Sequence, residues 1–317
     1  AWGGFAQNFA DRRIPFEHSS SSAHWNKERG EYLFIPTFAA GPAGPYLPGS
    51  ALKGAIRTGI VAARLNPGAL RDVAGRMQSD RPPRRPAEPV EEQVLGNPGQ
   101  SRMKAVGVSD SLPVSFDVMR VYLIRVAALV ARGGRLELGW KQSPRGTADG
   151  RRPEESTPYF AEMAAPGTVF EGRWEEDPFF SQPDILRALN WREAPGAVRL
   201  FEACNQHAAG LLAAHRRYAE QAGLQQLAAA LGELESRLGA IGRNGLACLL
   251  QMGLGAGFLS KVASLDTGAE SYRQILQRVP LYSRAASTGL PFPKTRKVVF
   301  LEGRPATLPG WVLLEAG

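Results

Sequence analysis

Soft metal ligands are scarce in this chain: two cysteines and four histidines in 317 residues. Cys204 and Cys248 are too few for a disulfide framework or a zinc site. Each sits in an Ala/Leu-rich context that reads as helical, so both are expected as buried free thiols of a reducing compartment. His18, His24, His207 and His215 do not cluster. His207 and His215 fall about 80° apart on a helix, which makes a poor metal pair. No apolar run approaches a membrane span and no signal peptide is visible. A cytoplasmic protein without a membrane partner is therefore expected.

Nucleotide-binding loops are lacking too. Gly44 to Gly49 has the glycine spacing of a P-loop, but Ser50 and Ala51 stand where Lys and then Ser or Thr are needed. Gly253-Leu254-Gly255-Ala256-Gly257 has the wrong spacing for a dinucleotide fingerprint, and the segment before it reads as helix. It is read as a helix C-cap and turn, or as backbone that approaches an anionic ligand closely, with Lys261 just beyond. Glu175-Glu176-Asp177 reads as a solvated loop, and Asp110 as a turn or capping residue. No nucleophile and base pair can be assigned, and no cofactor is implied.

Positive charge is what the chain has in excess. Lys plus Arg number 38 against 30 Asp plus Glu, a net +8, and the sequence pI is about 9.8. That balance favours a polyanionic partner, nucleic acid first. The apolar fraction of 44% is that of a globular protein with a sizeable core.

Strands are expected at Glu31–Phe38, Val106–Val108, Val114–Val126, Leu136–Trp140, Thr168–Trp174, Val298–Leu301 and Trp311–Leu314. The Pro-, Arg- and Glu-rich residues 76–100 read as an insertion that cannot be a regular helix. Pro183 to Met252 reads as helical throughout. The irregular mixture points to an α+β fold rather than a doubly wound sheet.

Pro48-Gly49-Ser50-Ala51-Leu52-Lys53-Gly54-Ala55-Ile56-Arg57 carries the most information. Two helix breakers precede an expected N-cap, Ser50. Lys53, Arg57 and Arg64 then form a strip roughly 40° wide beside an apolar face of Leu52, Ile56 and Ile60. Cations in a helix's first turns oppose the usual preference for acids there, which suggests an anion site. A capped helix with surface cations explains the same residues equally well. Lys294-Thr295-Arg296-Lys297 places three cations ahead of a strand, either as a solvated run or as phosphate contacts.

Taken in order, these segments resemble the RAMP superfamily of CRISPR RNA-binding proteins. Tyr46 to Arg57 is similar to that family's helix-opening signature, and Val108 to Ser111 to the short segment that follows it. Pro158 to Met163 with Pro166 to Phe170, and the glycine-rich run Gly253 to Lys261, resemble further family elements. Pro293 to Lys297 and Pro309 to Val312 complete a set that most resembles the capping subunits of type III-A (Csm) effector complexes.

The resemblance implies ferredoxin-like (RRM-like) modules with loop and hairpin insertions and a helical segment. One would span residues 1–182, with an insertion near 76–105. The other would span 183–317, combining the helices with a degenerate module around the glycine-rich loop. It implies contact with guide RNA (crRNA) by Gly49, Ser50, Lys53, Arg57, Gly253, Gly255, Gly257, Lys261, Lys294 and Arg296. Other implied partners are the backbone and small subunits of the complex and recruited host nucleases.

The related backbone subunits carry an Asp shortly before Pro-Gly-Ser that supports cleavage of bound RNA, whereas Tyr32 to Ser50 contains no Asp or Glu. That departure favours a binding subunit, without metal or catalytic residues, that caps the filament at the guide's 3′ end and aids guide maturation and antiviral defence. The competing expectation is a RAMP endoribonuclease trimming guide precursors, using His18 or His24 with Lys53. A third is a protein-docking module whose basic face meets an acidic partner. Residues 1–30 lack the family's N-terminal strand and glycine turn.

Overall fold

The computed structural model describes residues 13–27, 35–142, 147–241 and 245–317. In chain order the N-terminal elements are α1 (Ser19–Lys27), β1 (Ala40–Gly41), β2 (Gly44–Pro45), α2 (Gly49–Ala63), α3 (Ala69–Gln78) and α4 (Glu88–Leu95). There follow β3 (Val106–Val108), β4 (Met119–Arg132), β5 (Arg135–Trp140), β6 (Tyr159–Ala164) and β7 (Trp174–Glu176). The remaining elements are α5 (Pro183–Ala188), α6 (Ala197–Gln221), α7 (Gln225–Ile241), β8 (Ala247–Gln251), α8 (Glu270–Arg278), α9 (Pro280–Ala286), β9 (Thr295–Leu301), β10 (Arg304–Thr307) and β11 (Trp311–Glu315).

Strand β4 is the hub. Its Val-Tyr-Leu-Ile-Arg-Val run is rich in β-branched and aromatic residues and is buried on both faces. One edge pairs with β6 along Met119–Ile124 and with β5 along Ala127–Arg132. The other pairs with β9 along Leu123–Ala128, and β10 extends the sheet beyond β9. Each of these strand pairings is antiparallel. Gly133 and Gly134, at φ 54° and 78°, form the two-residue turn that the twist of a β4–β5 hairpin requires.

One face of this sheet packs against the long helices. Val121, Leu123, Leu129, Trp140, Phe160 and Phe300 meet Leu212 of α6 and Leu227 and Leu231 of α7. A second core joins Leu52, Ile56 and Ile60 of α2 to Leu200, Phe201 and Cys204 of α6, with Val94 of α4 and Leu250 of β8. Gly59 permits that close packing, because a Cβ there sits 3.0 Å from Cys204 Cα. The α+β class is as expected. The boundary expected at 182/183 does not separate two sheets, since strands from both sides of it share this one.

Several expectations are corrected. Residues 76–100 contain the end of α3 and all of α4, because Pro89 falls in the first turn, where its missing N–H costs nothing. Ala247–Gln251 is strand paired with β11, not helix, so Cys248 lies on a strand and the glycine-rich loop follows a strand. Residues 168–173 run irregularly up to the short β7, and 35–38 are not strand. The rest of the strand expected at 31–38 lies outside the described residues. Both cysteines are buried and free, as expected.

Candidate nucleic-acid interface

The signature segment and Val108–Ser111 are brought side by side. Gly49 N–H donates to Asp110 Oδ1 at 2.8 Å, Leu47 N–H to Ser111 Oγ at 2.9 Å, and Ser111 N–H to the Leu47 carbonyl at 3.0 Å. Gly49 is required there: a Cβ would strike the Val108 and Ser109 carbonyl oxygens. Residues 171–173 flank the other side, with Ser109 N–H on the Arg173 carbonyl at 3.0 Å and Leu112 N–H on that of Glu171 at 2.7 Å. Three segments separated in sequence thus form one ridge at the amino end of α2.

That geometry corrects the reading of Ser50. Pro48 holds the N-cap position, α2 begins at Gly49, and Ser50 lies exposed in the first turn without a capping bond. Asp110 supplies the cap instead, so the helix's positive end is already met by a carboxylate of this chain.

The basic strip divides by position. Lys53 Nζ donates to the Val106 carbonyl at 2.6 Å, tying α2 to β3. Arg57 pairs with Glu91 of α4, both about half exposed. Arg64, at the helix's carboxyl end, is exposed and makes no ion pair among the described residues. Ser50, Ala51 and Gly54 leave the outer face of the first two turns flat and exposed, and nothing lies within 4 Å of a Cβ built on Gly54.

The glycine-rich loop lies against Pro309-Gly310. Gly253 and Gly257 have φ of 89° and 87°, so they are there for backbone shape. A Cβ on Gly255 would overlap Pro309, and Met252 N–H donates to the Gly310 carbonyl at 2.8 Å. Gly255 therefore admits a close approach, but by this chain's own proline. Lys261 ends the following short 3₁₀ turn, exposed. Lys297 is exposed as well. Desolvation first, and the Lys261 charge second, hold its ammonium below the ordinary lysine value. Lys294 is half-buried.

Arg296 is elsewhere. Its guanidinium is largely enclosed, with Nε donating to His215 Nδ1 at 2.9 Å, one amino group donating to the Pro293 carbonyl at 2.7 Å, and the plane 4.4 Å from the Tyr218 ring centroid. Burial pulls it down to about 10, so it stays charged at neutral pH. His215 passes the chain on: its Nε2 lies 3.1 Å from Gln251 Oε1, and Gln251 Nε2 donates to the Pro309 carbonyl at 3.2 Å. With Nδ1 accepting from Arg296, His215 must carry its proton on Nε2. Burial first and the Arg296 charge second drive it down to about 3. A residue expected to contact phosphate is thus an internal strut between β9, α6 and β8.

His207 Nε2 lies 3.1 Å from the Val262 carbonyl, and His24 Nδ1 lies 3.4 Å from an Arg125 amino group. No contact joins His18 or His24 to Lys53 among the described residues. No three His, Cys, Asp or Glu side chains converge on a metal-ligating cluster there either. Glu176 accepts from Ala197 N–H at 2.6 Å, capping α6 rather than lying in a solvated loop. Sequence reasoning passed over Arg102, and it named Lys297 within the basic run without placing it among the expected RNA contacts. For Lys297 a signal existed, because strand alternation puts Arg296 on the apolar side of Val298 and Phe300 and turns Lys297 away.

A sequence profile of the RAMP superfamily matches residues 29–246, more than half of the chain. The chain belongs to the RAMP superfamily. No curated protein matches it. This RAMP fold is similar to that of a chain in the cryo-EM structure of a Csm-crRNA-target RNA ternary complex of a type III-A CRISPR-Cas system. The TM-score is 0.64 at 19% identity, covering 99% of this chain and 83% of that one. The crystal structure of T. onnurineus Csm5 aligns with a TM-score of 0.48 at 19% identity, covering 88% of this RAMP chain and 73% of its own. No helix among the described residues is long and apolar enough to cross a membrane.

Proposed function

We propose that this chain is a non-catalytic, RNA-binding RAMP subunit of a type III-A (Csm) CRISPR effector complex that caps the filament at the 3′ end of the guide RNA. The observation that carries this reading is the fold likeness along 99% of the chain to a subunit of a complex containing Csm proteins, crRNA and target RNA. Family membership and a net charge of +8 support it. Guide RNA lies along the ridge at the amino end of α2, over Gly49, Ser50 and Gly54, and reaches the glycine-rich loop with Lys261 and Lys294. Lys53 and the three loop glycines shape that surface, and Arg57 exchanges Glu91 for a phosphate. Affinity comes from phosphates and is independent of guide sequence. Neighbouring backbone and small subunits complete the site, and host nucleases are recruited to the assembly.

Reconstitution with guide RNA and the other type III-A subunits, followed by electron microscopy, tests the proposal. A single copy at the 3′ end of the guide is expected. Copies repeated along the filament, or failure to incorporate, would sink it. Labelled guide precursor incubated with the purified chain, with and without divalent metal, is expected to remain intact. Specific cleavage would instead establish the endoribonuclease.

A further inference from the structure

At the opposite end of α2 lies a cavity of about 280 Å³ lined by Arg64, Asn66, Val90, Gln93, Val94 and Arg102. Its charged lining is two arginines, with no carboxylate among the lining residues. Neither guanidinium has an ion-pair or hydrogen-bond partner among the described residues. Two acids lie beside Gln93 on the same helix: Glu91 is engaged by Arg57, and neither it nor Glu92 lines the cavity. Arg102 is held in place from behind: its guanidinium lies 6.0 Å from the Trp191 ring centroid. Trp191 is fixed in turn by Nε1 donating to the Gln100 carbonyl at 2.9 Å and by stacking on Phe180. Asn66 accepts from Gly68 N–H through Oδ1 at 2.8 Å, which leaves its amide N–H₂ for another acceptor.

Two guanidiniums held on one cavity without a counter-charge repel each other. Desolvation first, and the Arg64 charge second, push Arg102 below the ordinary arginine value. The carboxyl end of α2 adds partial negative charge, which Arg64 alone is enough to offset. The second cation therefore needs another explanation. Planar, multi-donor guanidiniums flanked by amide donors match the tetrahedral oxygens of a phosphate group. The volume suits a phosphate with its attached sugar, below the size of drug-like pockets.

We infer that Arg64 and Arg102, with Asn66 and Gln93, form a second phosphate site, occupied by a backbone phosphate of bound RNA. For its ligand this inference rests on the RNA-binding reading above. The site lies about 21 Å along α2 from Ser50, so it engages the strand several nucleotides from the first contact.

The test measures single-stranded RNA binding against salt for the wild-type chain, R64Q/R102Q and R64K/R102K. Thermal midpoints are followed alongside, and inorganic pyrophosphate and poly-glutamate serve as separate probes. R64Q/R102Q is expected to bind RNA roughly tenfold more weakly. Its log–log salt slope should fall by about 0.7, with no change in sequence preference or melting. R64K/R102K should recover most of the slope. If wild type binds RNA and R64Q/R102Q is indistinguishable from it, this inference fails while the proposed function stands. If wild type binds no RNA, the proposed function fails. The cavity is then read by pyrophosphate: binding lost in R64Q/R102Q upholds a phosphate site filled from another source, and no binding overturns it. Poly-glutamate bound in preference to RNA through these arginines also overturns it.

Discussion

The two ends of α2 treat positive charge in opposite ways. At the amino end Lys53 and Arg57 are both engaged by this chain, and the helix terminus itself is met by Asp110. At the carboxyl end Arg64 and Arg102 share a cavity and have no ion-pair partner among the described residues. The same contrast recurs within four residues near the C-terminus, where Arg296 is a half-buried internal strut and Lys297 is exposed. A cation's place in a motif therefore says little about its use. Whether the fold has already supplied a counterpart decides it.

Four measurements sharpen or break this contrast. The largest effect is expected for Arg296→Met, which takes the guanidinium donors away from His215 Nδ1 and from the Pro293 and Thr295 carbonyls. A loss of about 3 kcal/mol in chemical denaturation is expected, with RNA affinity of the folded protein unchanged. Weaker RNA binding at unchanged stability would return Arg296 to the interface.

Next comes acid. His215 is neutral in the folded chain down to about pH 3, whereas unfolded it protonates near its ordinary 6.5. The unfolded state then binds more protons between those values, so stability is full above pH 6.5 and falls as pH drops toward 3. By pH 5 the loss from this residue is about 2 kcal/mol. His207, also lowered by burial, adds to it. His215→Gln should therefore show a flatter dependence of melting temperature on pH than wild type. An identical slope would mean that His215 is solvated.

Gly49→Ala drives a methyl into the Val108 and Ser109 carbonyls and disturbs the Asp110 cap. A cost of about 2 kcal/mol is expected by denaturant titration, with weaker RNA binding as the ridge shifts. No loss of stability would show that the ridge is looser than it is drawn. The smallest effect belongs to Arg57→Gln. Its pair with Glu91 is exposed, so stability should move by less than about 0.5 kcal/mol. Any drop in RNA affinity then reports phosphate contact alone.

Much of the architecture was legible in the sequence. The apolar face of α2, the β-branched run of β4 and the glycine pairs at turns are local patterns that tertiary structure reinforced. What misled was local pattern overruled by pairing. Ala247–Gln251 has the residue content of the helices before it, yet β11 recruits it as a strand. Residues 88–95 looked unable to form a helix because of proline, although Pro89 occupies the one turn that tolerates it. For the site, the sequence located the charged segments. It could not reveal that Glu91, Val106 and His215, each far away in sequence from its partner, had already claimed three of the cations.

The register of β4 has a consequence for how this protein is made. Val126 must wait for Lys297, about 170 residues later in synthesis, before that edge of the sheet is closed. Until then the nascent chain carries a long apolar strand with an open edge, a template for wrong pairing. Truncations that stop short of β9 are thus expected to aggregate rather than yield a smaller soluble piece. A solubility assay of chains ending before and after residue 307 would reveal it.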